Sequence, residues 1–318
     1  MSLSYVHRYH AGHFSDIHKH LVLIAVLQAL RKKETPFCVL DAFSGEGLYD
    51  LHSDESQKLK EYLKGIGYIL SDHSPSELVQ SLIQIIQTLP PHHYPGSPFI
   101  IQQFLRQQDA AHLIEKHPTA LSVLKQYFGK SNQLHVHGRD AYEAMNGLIP
   151  FKEKRGLVFI DPSYEVKIEY QLIAEAVNRL LQKFANGIFL IWYPLLHNMD
   201  YHLQLIDILK HGPATKVWRF EWTPFKANAP ENSAVKGKCP QQMIFRVGAK
   251  PPSNRSVHQV HEDCEVGAGN TPENSAVKGI YGSGVVIINP PWGVDEQVIN
   301  TFEHLKNSVY PDSHMESW

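Results

Sequence analysis

Short continuous apolar runs alternate with stretches of helical periodicity along most of this chain, and that alternation restricts it to a mostly parallel sheet covered by helices. Seven runs read as strands: Phe37–Asp41, Ala111–Glu115, Gln133–His137, Gly156–Asp161, Gly187–Tyr193, Lys216–Trp222 and Gly284–Asn289. Runs that are apolar at every position, such as Leu157–Ile160, suit strands buried on both faces. Helices are expected at His18–Lys33, before the first strand, and at Ile168–Phe184 and His197–His211, on either side of the fifth. The fold class is therefore α/β, with a seven-stranded, mostly parallel sheet.

Two stretches break the alternation. His52–Tyr94 is too long for an ordinary crossover, and within it Ser76–Leu89 carries apolar residues at 78, 79, 82, 83, 85, 86 and 89, an amphipathic helix pattern. The second, 225–278, is rich in Pro, Gly, Asn and Ser and carries Pro-Glu-Asn-Ser-Ala-Val-Lys-Gly twice, at 230–237 and 272–279. Two copies are no solenoid, so the reading is a flexible surface loop, with a further short strand possible at Gln242–Val247. The expected organisation is 1–51 as N-terminal segment and first strand, 52–94 as an inserted helical subdomain, and 95–318 as the remainder.

Composition removes several function classes. With 30 Lys+Arg against 32 Asp+Glu the chain is no polycation, so any nucleic-acid contact must use a local patch. Cys38, Cys239 and Cys264 are far apart and in no CxxC, against a disulfide framework or a zinc site. No apolar run reaches the roughly 18 residues of a membrane span, and Met1–His10 lacks a signal-peptide stretch, so a soluble cytoplasmic protein is expected.

Chemistry concentrates in three places. After the first strand comes Asp41-Ala-Phe-Ser-Gly-Glu-Gly47, where Gly45 and Gly47 allow a ligand close to the backbone and Asp41 can pair with a donor on it. Asp50 stands where a dinucleotide fingerprint has its third glycine, which argues against a nicotinamide enzyme. After the fourth strand comes Asp161-Pro-Ser-Tyr164. Here the Asp161 side chain and the Pro162 carbonyl can face one pocket as two acceptors, with the Tyr164 ring beside them to stack on a base. Two acceptors orient an exocyclic amine and help localise its lone pair for in-line attack on a methyl sulfonium. Asn289-Pro-Pro-Trp292 is a rival copy, but it ends the last strand, away from the central crevice, and is assigned a structural or flanking role. The third place is the N-terminus. Residues 1–33 hold Arg8, Lys19, Arg31, Lys32, Lys33 and five histidines against the single acid Asp16, which reads as a segment facing RNA or cofactor and supplying phosphate contacts.

The first two motifs resemble motif I and motif IV of S-adenosylmethionine-dependent amino-methyltransferases. Ser4-Tyr5-x-His7-x-x-His10-Ala-Gly12, Asp16, Lys19-His20, Gly45-x-Gly47-Leu-Tyr-Asp-Leu51, Tyr94-Pro-Gly-Ser-Pro98, Glu115-x-His117-Pro118, Asp161-Pro-x-Tyr164-Glu165 and Gly282-Ser-Gly284…Asn289-Pro-Pro-Trp292 follow the order of the RlmJ family. These bacterial enzymes methylate an adenine N6 of 23S ribosomal RNA. The resemblance implies a Rossmann-like class I methyltransferase fold and S-adenosylmethionine as cofactor. It implies cofactor contacts from Lys19, His20, Asp41, Gly45, Gly47, Ser97, Glu115, Asp140, Ala141 and Asp161, with Tyr5 and His7 closing over the target base. Physically, Glu115 can take the ribose hydroxyls, Asp140 can meet the adenine amino group, and Ser97 suits an N-cap before Pro98. Phe43 replaces a family histidine and offers only a ring contact, and Ser163 replaces the second proline of motif IV. A monomer acting on protein-free 23S rRNA without a metal is expected. A DNA adenine or cytosine methyltransferase and a non-catalytic RNA-binding protein on the same scaffold are the alternatives.

Overall fold

In the computed structural model, residues 6–197, 199–225 and 279–318 are described. The strands are β1 (Cys38–Asp41), β2 (Leu48–Asp50), β3 (His93–Pro95), β4 (Ala110–Ile114), β5 (Leu134–His137), β6 (Gly156–Ile160), β7 (Ile188–Leu196), β8 (Val217–Thr223), β9 (Ile280–Ile288) and β10 (His314–Ser317). The α-helices are α1 (Phe14–Arg31), α2 (Asp54–Leu59), α3 (Ile66–Leu70), α4 (Glu77–Gln87), α5 (Ser97–Phe104), α6 (Pro118–Phe128), α7 (Ala141–Leu148), α8 (Glu169–Lys183), α9 (Tyr201–Lys210) and α10 (Val294–Ser308).

The main sheet runs β10-β8-β9-β7-β6-β1-β4-β5. Neighbours from β7 to β5 are parallel, so their C-terminal ends open on one edge. All seven expected strands are present, but the sheet has eight. The addition is β10, antiparallel to β8 on its outer edge. Its sequence His-Met-Glu-Ser is short, polar and mostly exposed, so no apolar pattern announces it. The β9 strand is antiparallel to both β7 and β8. Its C-terminal end therefore lies beside the start of β7, where Asn289 Nδ2 donates to the Ala185 and Gly187 carbonyls at 2.8 Å each. The Asn289 motif sits at the edge opposite Asp161 because of strand direction, which supports its structural assignment.

Helix α1 begins four residues earlier than expected, after His13 as N-cap. It is buried almost all round, with Leu21 to Leu27 fully enclosed, as a helix apolar on every face must be. Sheet strands β7 and β9 lie against it, as do α4, α5 and α10. The enclosure carries its polar first turns (Asp16, His18, Lys19, His20) into the interior as well. Between β2 and β3, which pair antiparallel, lie α2, α3 and α4. Tyr62, Ile66, Ile69, Leu78, Val79 and Leu82 there belong to the same continuous core as the sheet. The expected strand at Gln242–Val247, both octapeptides up to Lys278 and the loop from residue 226 lie outside the described residues.

Candidate active site

A cleft of about 400 Å³ opens at the C-terminal ends of the parallel strands. One wall is the loop after β1. Gly45 and Gly47 have φ of 61° and 81°, a conformation that β-carbon sterics disfavour. A Cβ on Gly47 would lie 2.8 Å from Phe128, and one on Gly45 would strike the Tyr49 hydroxyl. The Gly45 N–H donates to Glu115 Oε2 at 2.9 Å, and the His117 N–H donates to Glu115 Oε1 at 2.6 Å. These bonds steady a carboxylate at the end of β4 whose proton affinity burial raises.

Asp41 and Ser97 form a buried pair behind this loop. The Ser97 hydroxyl donates to Asp41 Oδ2 at 2.6 Å, while Oδ1 is buried without a well-formed hydrogen bond among the described residues. Burial pushes the Asp41 carboxyl up to about 7, against the Ser97 bond, which favours the ionised form. Ser97 is the first residue of α5 and Gly96 its N-cap, so the N-cap role expected for Ser97 is not the one it has. A Cβ on residue 96 would come within 3.1 Å of Gly47, which explains a glycine there.

The opposite wall is built from α1 and the loop after β6. The Lys19 ammonium is held between two carboxylates, 2.7 Å from Asp16 Oδ1 and 2.7 Å from Asp161 Oδ2. It also lies 5.2 Å from the centre of the Trp192 ring. Burial alone would favour its neutral form, but the two carboxylates outweigh burial and raise its pKa. Burial raises the Asp161 pKa, with Lys19 opposing. Asp16 is held well below the carboxylate range, because Lys19 and His7 overcome its burial. Asp161 Oδ1 and the Pro162 carbonyl carry no hydrogen bond among the described residues. Tyr164, at φ 52°, donates its hydroxyl to the Trp192 carbonyl at 2.7 Å and stacks on Tyr170 at 4.2 Å. The loop conformation is thereby fixed without the second proline.

Of the sequence-derived residues, His7, Lys19, His20, Phe43, Gly45, Ser97, Glu115, Ala141, Asp161, Pro162 and Tyr164 line this one cleft. Asp41 stands behind it. Asp140 does not line it: its Oδ1 caps α7 by accepting the Tyr142 N–H at 2.9 Å, and its Oδ2 meets Lys116 at 3.1 Å. Tyr5 lies outside the described residues. His20 shares a 2.8 Å hydrogen bond with Tyr94, and burial pushes its imidazole down to about 3. Arg8 Nε donates to both oxygens of Glu46, at 2.9 and 2.8 Å. Two wall residues carry no role in the sequence reading. Trp192 is fixed through its indole N–H on the Ser283 hydroxyl at 2.8 Å. Asp16, legible there only as the lone acid of a basic segment, stands one turn before Lys19.

The profile of the family described as "Ribosomal RNA large subunit methyltransferase D, RlmJ" matches residues 34–225. The chain belongs to the RlmJ family. Two curated relatives, each named ribosomal RNA large subunit methyltransferase J, agree with this. The one from Haemophilus influenzae is 30% identical over 98% of this chain and 95% of its own length. The one from Escherichia coli is 29% identical over 97% of this chain and 95% of its own. The crystal structure of protein LPL1258 from Legionella pneumophila superposes with a TM-score of 0.75 at 28% identity, covering 97% of this chain and 98% of that one. The expected fold class and RlmJ membership both hold, and the chain is a methyltransferase by family.

Proposed function

We propose that this RlmJ-family chain transfers a methyl group from S-adenosylmethionine to the N6 amino group of an adenine in 23S rRNA, as a cytoplasmic monomer acting on protein-free RNA. The observation that carries the reading is Asp161: a half-buried carboxylate with one oxygen on Lys19 and, among the described residues, no hydrogen bond on the other, next to a Pro162 carbonyl likewise without one. An adenine amino group has two hydrogens, and these two acceptors match them. Holding both turns the nitrogen lone pair toward the donor, a positioning effect rather than a change of reagent. Once methylated, the nitrogen is cationic and gives up a proton readily, so Asp161 need not act as a strong base.

The opposite wall fits the cofactor. Gly45 lines the cleft without a side chain while Gly47 packs behind it on Phe128, Asp41 Oδ1 is buried without a well-formed hydrogen bond among the described residues, and Glu115 is a steadied acceptor for hydroxyls. When bound, S-adenosylmethionine supplies an electrophilic methyl group and leaves as a neutral thioether. Tyr5 and His7 are proposed to close over the base, His7 from a one-turn helix tied down by Asp16. The experiment is transfer of labelled methyl to protein-free 23S rRNA from a strain lacking this gene, with duplex DNA as control, followed by nucleoside digestion. N6-methyladenosine from RNA alone is expected, lost in Asp161→Ala with a smaller effect on donor affinity. Label in DNA, or an active Asp161→Ala protein, would overturn the reading.

A further inference from the structure

One carboxylate links three parts of the site, and the proposed reaction gives it no part. Asp16 is 2% exposed. Its Oδ1 takes the Lys19 ammonium at 2.7 Å, while its Oδ2 accepts the Gly12 N–H at 2.8 Å and His7 Nε2 at 3.2 Å. Gly12, at φ 79°, presses so closely on Ile66 and Tyr62 that a Cβ would lie 3.1 Å from each, so the turn entering α1 is fixed. Through Lys19 the same carboxylate is two 2.7 Å contacts from the oxygens of Asp161.

An acid placed only to support a helix start would spend its oxygens on backbone N–H groups. Asp16 spends one on the cation that it shares with Asp161. We propose that Asp16 is a positioning residue for methyl transfer: by drawing on the Lys19 ammonium it sets how strongly Asp161 accepts a hydrogen bond, and by holding Gly12 and His7 it docks the N-terminal turn against that acceptor. The inference rests on the reading of Asp161 as amine acceptor.

The sign follows from the charges around Asp161. Lys19 and Asp16 face it from α1, His7 from the turn before α1, Asp41 from β1, and Tyr164 from its own loop. Of these, Lys19 stabilises the Asp161 carboxylate, whereas Asp16 opposes it directly and also competes for Lys19. Neutralising Asp16 therefore strengthens the Lys19–Asp161 pair. Asp161 stays ionised to lower pH but accepts the substrate amine less strongly.

The test is single-turnover transfer to protein-free 23S rRNA from pH 5 to 9 with the wild type, Asp16→Asn and Asp16→Glu, beside donor affinity by calorimetry and a melting curve for each. Asp16→Asn keeps an oxygen for the Gly12 N–H but loses the charge. Its acid limb is expected to move down by about one pH unit, with a plateau about tenfold lower and donor affinity within about threefold. Asp16→Glu keeps the charge and holds the limb at the wild-type position. A limb that does not move in Asp16→Asn, whatever happens to its amplitude, makes Asp16 merely structural and overturns the inference. A wild type that yields no N6-methyladenosine fails earlier, at the reading of Asp161.

Discussion

Replacing Lys19 by Met keeps an unbranched stem beside Trp192 and removes one positive charge from between two carboxylates. Lys19, Asp16 and Asp161 have side-chain exposures of 6%, 2% and 13%, and both contacts are 2.7 Å. Removing one partner of a buried pair costs about 3–5 kcal/mol, because the charge left behind is uncompensated. Here two carboxylates are stranded, and each can escape by taking up a proton. In the wild type Lys19 holds Asp16 well below the usual range and offsets the burial that raises Asp161. Without it Asp16 rises above the unfolded value of about 3.9 and Asp161, already raised by burial, rises further. A group raised in the folded state contributes stability that is fully present below its unfolded pKa and lost as pH rises through its folded pKa. The deficit of Lys19→Met against wild type is therefore greatest near pH 8 and shrinks toward pH 5.5. At roughly 2 °C per kcal/mol for a chain of this size, the melting temperature should fall by about 6–10 °C at pH 8. Thermal melts at the two pH values, backed by urea titration, measure it. A deficit below about 1 kcal/mol, or one equal at both pH values, would refute the buried three-charge arrangement.

Two further substitutions probe the opposite wall and the decoy motif. Ser97→Ala removes the 2.6 Å bond to Asp41, whose carboxyl already stands at about 7, and pushes it higher. Donor affinity should weaken, and its rise with pH should move to higher pH; an unmoved pH midpoint would take Asp41 out of the cofactor site. Asn289→Ala forfeits two 2.8 Å bonds and leaves alanine at φ 55°. It should cost about 2–3 kcal/mol in denaturant titration while leaving transfer rates at 25 °C unchanged; a tenfold loss of transfer would give that motif a part in catalysis.

The portions of this fold that could be read from the chain are those written in local chemistry. The β1 run ending at Asp41, the glycines that follow it, and the Asp161-Pro step after the apolar β6 each carry their own signal, and the parallel sheet brings their ends together. Asn289-Pro-Pro-Trp292 has the same local signal and a different place. The direction of β9 is set by pairing with β7 and β8, which periodicity does not encode. The N-cap expected at Ser97 falls on Gly96, and Asp140, expected at the cofactor, caps α7. Both start helices, and whether such a residue caps the helix or faces the cleft depends on a shift of one residue. Asp16 was legible as a residue type but not as a role, because its partner Asp161 lies far along the chain and meets it only through Lys19.

The charges of the cleft bear on how a chain with a net charge of −2 handles a polyanion. Among the described residues, four cations line the cleft (Arg8, Lys19, Lys116 and Arg139), and so do four carboxylates (Asp16, Glu46, Glu115 and Asp161). Arg8 is paired with Glu46, Lys19 with Asp16 and Asp161, and Lys116 with Asp140. Three of the four cations are thus already paired with carboxylates of the chain itself. Arg31, Lys32 and Lys33 lie at the other end of α1, about 18 Å along its axis from Lys19 by helical rise. Such a cleft offers no net attraction to a phosphate backbone, whose binding elsewhere scales with the cations it neutralises. What it offers is a pair of hydrogen-bond acceptors and aromatic walls, which suit an uncharged base taken out of its stack. Recognition at the reacting centre is then of the base, and the RNA backbone is left to surfaces outside the cleft.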